Sequence, residues 1–151
     1  MRNGNGDGMA FVNEKIETDE QRAELASLQI KPPFRRNEPL RLDSWAVDRE
    51  RGLYFLSFGR GGPGSPYFVA LSDRSGVVLE ASGEMNASGP YQPKGIDVTW
   101  NLTSIRIPRA HGSRADELIS ALSEALRADG YLGEAEATRS VEVTLSKATL
   151  I

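Results

Sequence analysis

The middle of the chain alternates short apolar segments with turn residues, a pattern that predicts β-strands joined by tight turns. Two pairs of segments show it most clearly: 45–48 and 53–58 around the turn 49–52, and 67–72 and 77–82 around the turn 73–76. Each pair is typical of a β-hairpin, in which a glycine of the turn adopts positive φ. The connections are too short for crossover helices, so these strands are predicted to form an antiparallel meander.

Two further segments have the period of a strand. Between residues 96 and 103 apolar and polar residues alternate, as expected for a strand with one buried and one wet face. Ile105 and Ile107 are out of phase with this set, which predicts a bulge or bend near Ser104. Residues 141–145 alternate in the same way and predict a last strand.

Helix signals occur on either side of the meander. Thr18 and Gln21 have the spacing of a capping box, which predicts a helix at about 19–29 that ends before two prolines. Apolar residues recur every three or four positions over 114–129 and predict a second helix. The predicted fold class is therefore α+β: an antiparallel β-meander of about five to six strands, with both helices packed on one face of the sheet.

Length and composition indicate one soluble domain. The 151 residues suit a single core, and the glycine- and asparagine-rich start predicts a flexible leader at 1–13 before a globular domain at 14–151. A net charge of −3 argues against nucleic acid and anionic membranes as partners. No stretch is apolar enough for a membrane span or a secretory signal, so the predicted location is cytoplasmic.

The chain contains no cysteine and a single histidine, which limits its chemistry. Cysteine nucleophiles, iron–sulfur clusters and sites with two histidine ligands are excluded. Any Ser-His-Asp arrangement requires His111, and no neighbour in the sequence orients its ring. We therefore predict no catalytic residue and favour a protein that is not an enzyme.

Two glycine-rich motifs invite a ligand hypothesis. Five residues match the spacing of a calcium loop: Asn3, Asn5, Asp7, Gly8 and Glu14. Only two are carboxylates, and no helix fits before them, so neither a metal site nor a cofactor is predicted. The segment 59–66 is similar in composition to a phosphate loop, but it leads into a strand and lacks Gly-Lys-Ser/Thr. It is predicted to be a connection between strands or a loop that contacts a partner.

The strand at 53–58 differs from the others because apolar residues point to both of its faces. In one hypothesis, a helix covers one of these faces and a loop or the N-terminal segment covers the other. The alternative leaves the second face exposed as a binding patch. The candidate partner-binding residues around such a patch are Arg49, Arg51, Tyr54, Arg60 and Tyr67.

These observations favour a small cytosolic, non-enzymatic protein-interaction domain, such as an inhibitor or an immunity-type binder, that presents a sheet face and loops to another protein. The alternative function is a small-molecule-binding domain or a carboxylate-based enzyme. Its polar pocket on the sheet would be lined by Asp97, Asn101, Arg106 and Glu142. A homodimer is a third use for the apolar surface. The sequence leaves open the partner or ligand, the oligomeric state and the strand order.

Overall fold

A computed structural model describes residues 11–14, 16–28, 34–35, 38–39, 41–59, 66–88, 95–129 and 138–151. The fold is α+β, with a curled, mostly antiparallel sheet and two α-helices. The strands are β1 (Val12–Glu14), β2 (Phe34–Arg35), β3 (Glu38–Pro39), β4 (Arg41–Asp48), β5 (Leu53–Gly59), β6 (Pro66–Asp73), β7 (Gly76–Ser88), β8 (Ile96–Ile107), β9 (Thr138–Leu145) and β10 (Ala148–Leu150). The helices are α1 (Asp19–Ser27), α2 (Ala115–Asp129) and a 3₁₀ helix at Arg109–Arg114.

The main sheet has eight strands in the order β1-β4-β5-β6-β7-β8, with β9 and β10 both paired to β8. Strands β4 to β8 form an antiparallel meander, as predicted. Both predicted hairpins are confirmed, and their turns contain Gly52 at φ +69° and Gly76 at φ +134°. A separate two-stranded sheet joins β2 and β3.

The predicted strand count and the purely antiparallel arrangement are only partly correct. Strands β9 and β10 run parallel to β8, because the chain crosses over through α2 between β8 and β9. The prediction of five to six strands was too low. Strands β1, β2, β3 and β10 are two or three residues long and are too short to show an alternating pattern.

The two helices lie on opposite faces of the sheet, so the prediction that both pack on one face is wrong. The reason is that successive side chains of β5 point to opposite faces of the sheet. Leu53 and Phe55 belong to the core that includes α2. Tyr54, Leu56 and Phe58 point the other way, into a second core against which Ile16 and Leu25 pack. Strand β5 is therefore covered on both faces, by a helix on one side and by the N-terminal segment on the other.

Helix α2 packs on the main core of the sheet and contacts β1, β4 and β9. Five of its apolar residues are fully buried: Leu118, Ala121, Leu122, Ala125 and Leu126. One turn of its polar side connects to two distant parts of the sheet. Glu124 accepts a hydrogen bond from Arg51 at 2.7 Å, and Arg127 donates to the carbonyl of Val141 at 2.9 Å. These contacts join the β4–β5 turn and β9 to the same segment of the helix.

The bulge predicted near Ser104 is present. Ser82 lies opposite Ser104, and Gly83 lies opposite Leu102, so Thr103 is an extra residue in β8. This extra residue brings Ile105 and Ile107 back to the buried face. Gly83 is required at this point, because a Cβ on it would lie 2.1 Å from the carbonyl oxygen of Asn101.

The N-terminal part of the described chain wraps around β4. Phe11 is buried, and β1 pairs with β4, so three residues assigned to the predicted leader belong to the fold. Residues 1–10 lie outside the described residues.

Helix α1 begins with the predicted capping box, in which the Thr18 hydroxyl accepts from the amide of Gln21 at 3.0 Å. Neither α1 nor any other described helix has the length and apolar composition needed to cross a membrane.

Candidate functional site

A network of ionic and hydrogen bonds joins α1 to the turns of the sheet. Arg49 donates to Glu24 at 2.5 Å and to Glu14 at 3.0 Å. The Tyr54 hydroxyl donates to Glu24 at 2.8 Å and accepts from Arg74 at 2.9 Å. The Arg49 hydrogen bond, more than any other contact, holds the pKa of Glu24 below its ordinary value. We call these five residues the arginine network, and its members connect β1, α1, β5 and both hairpin turns.

Arg51 forms a second set of contacts at the same end of the sheet. Its guanidinium binds the carboxylate of Asp48, bonds to Glu124 of α2, and lies 5.6 Å above the centre of the Phe11 ring. Asp48 also accepts a hydrogen bond from the backbone amide of Arg51 at 3.1 Å. Since Asp48 is 1% exposed, Arg51 neutralises a carboxylate that is nearly removed from water.

The residues predicted to surround an exposed apolar patch do not form one. Tyr54 and Tyr67 are 3% and 1% exposed and belong to different cores on opposite faces of the sheet. The Tyr67 ring packs edge-on against Trp100, with centroids 5.4 Å apart. Arg49 and Arg51 are engaged in the contacts described above, and Arg60 lies outside the described residues. Of the described residues in the predicted partner-binding set, the two tyrosines are therefore core residues and the two arginines form intramolecular ion pairs.

An open polar face lies on the other half of the sheet. Strand register places one row of polar side chains from each of β7, β8 and β9 on the same side as α1: Glu80, Ser82, Glu84, Asn86 and Ser88; Asp97, Thr99, Asn101 and Arg106; Ser140, Glu142 and Thr144. Ten of these twelve residues are exposed, and Ser82 and Asp97 are half-buried. We call this set the open polar face, and it contains all four residues of the predicted polar pocket.

The four residues of the predicted pocket share this face but do not converge. Asp97 and Arg106 are nine positions apart on β8, and because one of these positions is the bulge, eight strand steps or about 26 Å separate them. Arg106 is paired with Glu80 at 2.9 Å, and Asp97 is paired with Arg139. A small ligand therefore cannot contact all four residues at once. Within the described chain, Glu84 and Glu142 are carboxylates of this face that form no ion pair.

Among the described residues, Asp97 is the carboxyl group with a large pKa shift. Arg139 and then Ser140 donate hydrogen bonds to it and lower its pKa from 3.8 to about 2. A carboxylate with so low a pKa is a poor general base near neutral pH. Its depressed pKa reflects an ion pair between neighbouring strands.

This ion pair is testable by titration. We expect Arg139→Gln to raise the pKa of Asp97 from about 2 towards 3.8, and Ser140→Ala to raise it less, because Arg139 is the larger cause. The pKa of Asp97 in the folded chain lies below its ordinary value of 3.8. The ion pair therefore stabilises the fold at pH values above 3.8, and this contribution disappears as the pH falls towards 2. Carboxyl chemical shifts measured by NMR across this range would check it; an unchanged titration in Arg139→Gln would contradict it.

His111 lies in the 3₁₀ helix near Asp73, but the two do not form a catalytic arrangement with serine. Asp73 accepts hydrogen bonds from the amide and hydroxyl of Ser75, at 2.8 and 2.6 Å. Burial acts to raise the pKa of Asp73, yet these bonds and the charges of His111 and Arg114 lower it. The Ser75 hydroxyl thus donates to a carboxylate rather than to an imidazole, unlike a Ser-His-Asp triad. Across the described ranges, no three potential metal ligands are grouped.

No family model matches this chain, and no curated protein or solved structure is similar to it. Sequence reasoning missed the ionic partners Glu14, Glu24 and Asp48, which are distributed over three elements. The sequence holds a signal only for Asp48, an acidic residue that closes an apolar strand three positions before Arg51.

Proposed function

We propose that this chain is a non-enzymatic protein-interaction domain that binds another protein through the open polar face. One observation carries the proposal: the same side of the sheet is apolar and covered near α1 but polar and exposed on β7, β8 and β9. A folded chain needs to cover its apolar surface, whereas a polar sheet face remains free for contact. The breadth of this face, three strands, suits a protein surface better than a small ligand.

The charges of the face favour a basic partner. Asp97 and Glu80 are neutralised by arginines, whereas Glu84 and Glu142 have no cation among the described residues. Glu84 lies opposite Asn101, and Glu142 lies beside Thr99. From strand spacing and rise, their Cα atoms are about 12 Å apart with the amide and hydroxyl between them. This arrangement matches lysine or arginine side chains accompanied by hydrogen-bonding groups.

A charge-reversal comparison tests this proposal. We expect Glu84→Arg with Glu142→Arg to reduce capture of a stoichiometric partner from host lysate at least ten-fold, because both changes place like charges against a basic surface. The partner would be identified by mass spectrometry, and rising salt should weaken its capture by the unmodified chain.

The matched control carries Glu17→Arg and Glu50→Arg, two exposed positions away from the open polar face that change the net charge equally. This control should retain the partner, and circular dichroism should show that both variants are folded. Equal loss in the two variants would indicate a general charge effect. A partner retained by the Glu84 and Glu142 variant, or no partner at all, would refute the proposal.

A further inference from the structure

Helix α1 is attached to the sheet through a narrow contact. None of its residues is buried, and Leu25 is half-buried. Its other apolar contacts come from just outside the helix, where Ile16 precedes it and Leu28, 5% exposed, follows it. Helices with few buried contacts belong to the least stable parts of a fold and open locally at low cost.

The surface under α1 is much more apolar than α1 itself. Five residues of β4 and β5 form it and are at most 4% exposed: Trp45, Val47, Tyr54, Leu56 and Phe58. Trp45 stacks on Tyr54, with ring centroids 6.1 Å apart. The indole N–H of Trp45 is buried and has no acceptor within the described chain. Leu25 of α1, together with Ile16 and Leu28 beside the helix, packs against this surface, and one donor of the surface stays unsatisfied.

Two hydrogen-bond donors and a second guanidinium surround a single carboxylate at the rim of this surface. Glu24 Oε2 lies 2.5 Å from Arg49, 2.8 Å from the Tyr54 hydroxyl and 3.8 Å from Arg74. Both arginines belong to hairpin turns of the sheet and the tyrosine belongs to β5, so these groups stay with the sheet when α1 leaves. The sheet thus provides an aromatic, apolar surface beside a carboxylate-binding rim.

We propose that α1 is a displaceable cover, and that the surface beneath it is a docking site for a helix from a partner protein. The partner helix must complement both the cationic rim and the apolar surface. It therefore carries a carboxylate, an apolar residue at the next position, and a second apolar residue three positions after the first apolar one. Glu24, Leu25 and Leu28 have this spacing in α1. The docking site lies on β4 and β5, outside the open polar face, and does not depend on the function proposed above.

A peptide of residues 16–28 serves as the partner helix in the test. The full-length chain with Trp100→Phe retains Trp45 as its single tryptophan, and Glu24→Gln removes the charge that holds α1. We expect the peptide to change Trp45 fluorescence and to bind the Glu24→Gln chain at least ten-fold more tightly than the chain with Glu24. A control peptide with Glu24→Lys should bind at least ten-fold more weakly, because the rim is cationic. Calorimetry on the Glu24→Gln chain with Trp100 intact repeats the measurement if Trp100→Phe is unstable.

Hydrogen exchange and size-exclusion chromatography complete the test. We expect the amides of α1 to exchange at least 100-fold faster than those of β5, while the chain remains monomeric. Two results would show that α1 does not open onto a docking site: α1 amides that are as protected as those of β5 in the chains with Glu24 and with Glu24→Gln, or no peptide binding when α1 is open. Equal affinity for the two peptides would also overturn the proposal. So would a dimer of the Glu24→Gln chain that excludes the peptide. The last result would identify α1 of a second copy as the occupant.

Discussion

Gly83→Ala is expected to lower the free energy of unfolding by at least about 3 kcal/mol. This is near the upper end of the destabilisation that overpacked positions typically show. The added Cβ would lie 2.1 Å from the carbonyl oxygen of Asn101 and 2.7 Å from the Cα of Leu102. Both are backbone atoms of β8, so no side-chain rotation removes the clash. The β7–β8 pairing must separate at the bulge that keeps Ile105 and Ile107 in the core. Urea unfolding monitored by circular dichroism would measure the loss.

Gly112→Ala is the matched control for this substitution. The nearest atom to its added Cβ is Cδ1 of Leu150, at 3.1 Å, and this atom ends a flexible side chain that is 40% exposed. We expect a change within about 1 kcal/mol, as for ordinary substitutions near the surface. If Gly83→Ala were as mild as Gly112→Ala, the close approach of β7 to β8 at the bulge would be incorrect.

Arg51→Ala is expected to destabilise the protein by about 3 kcal/mol, because removing one partner of a buried ion pair leaves an uncompensated charge. The charge in this case is the carboxylate of Asp48, which is 1% exposed and would retain its hydrogen bond from the backbone amide of residue 51. The substitution also removes the bond to Glu124 of α2 and the contact with the Phe11 ring. Denaturant unfolding curves would measure this effect.

A double-mutant cycle with Asp48→Asn separates the ion pair from the other contacts of Arg51. In the Asp48→Asn background no buried charge remains at position 48, so Arg51→Ala should cost only about 1 kcal/mol, which gives a coupling of about 2 kcal/mol. A coupling near zero would show that Arg51 acts through Glu124 and Phe11 alone. Alanine substitutions of Arg51 or Tyr54 are therefore poor probes of partner binding, since they change the stability of the fold itself.

The two proposed surfaces lie on the same side of the sheet and differ in how they become available. The open polar face of β7, β8 and β9 is exposed in the folded chain. The aromatic surface of β4 and β5 becomes accessible only when α1 moves. Arg74, in the β6–β7 turn, donates to the Tyr54 hydroxyl and thus belongs to the rim of the covered surface. Variants at Glu84 and Glu142 leave this rim intact, so the two binding tests are independent.

Local sequence signals determined the hairpins, the start of α1 and the bulge. Gly52 and Gly76 occupy turns that need positive φ, Thr18 and Gln21 form a reciprocal cap, and the change of phase after Leu102 requires an extra residue. Each of these features depends on residues close together in the chain, where backbone sterics and periodicity act directly. The two-sided pattern of 53–58 left two hypotheses open, a strand covered by a helix and by a loop or the N-terminal segment, or a strand with one exposed face, and the structure supports the first.

Of the candidate sites, the sequence alone identified the polar rows of β8 and β9, because alternation shows which side chains of a strand face water. It did not show that Asp97 and Arg106 are spread along one extended face, nor that Tyr54 and Tyr67 lie in opposite cores. Only the tertiary structure decided these points, together with the parallel pairing of β9 and the placement of α1 and α2 on opposite faces. Ion pairs such as Arg49 with Glu24 join residues 25 positions apart. Such contacts depend on how elements pack across the sheet, and no local preference of the chain encodes that packing.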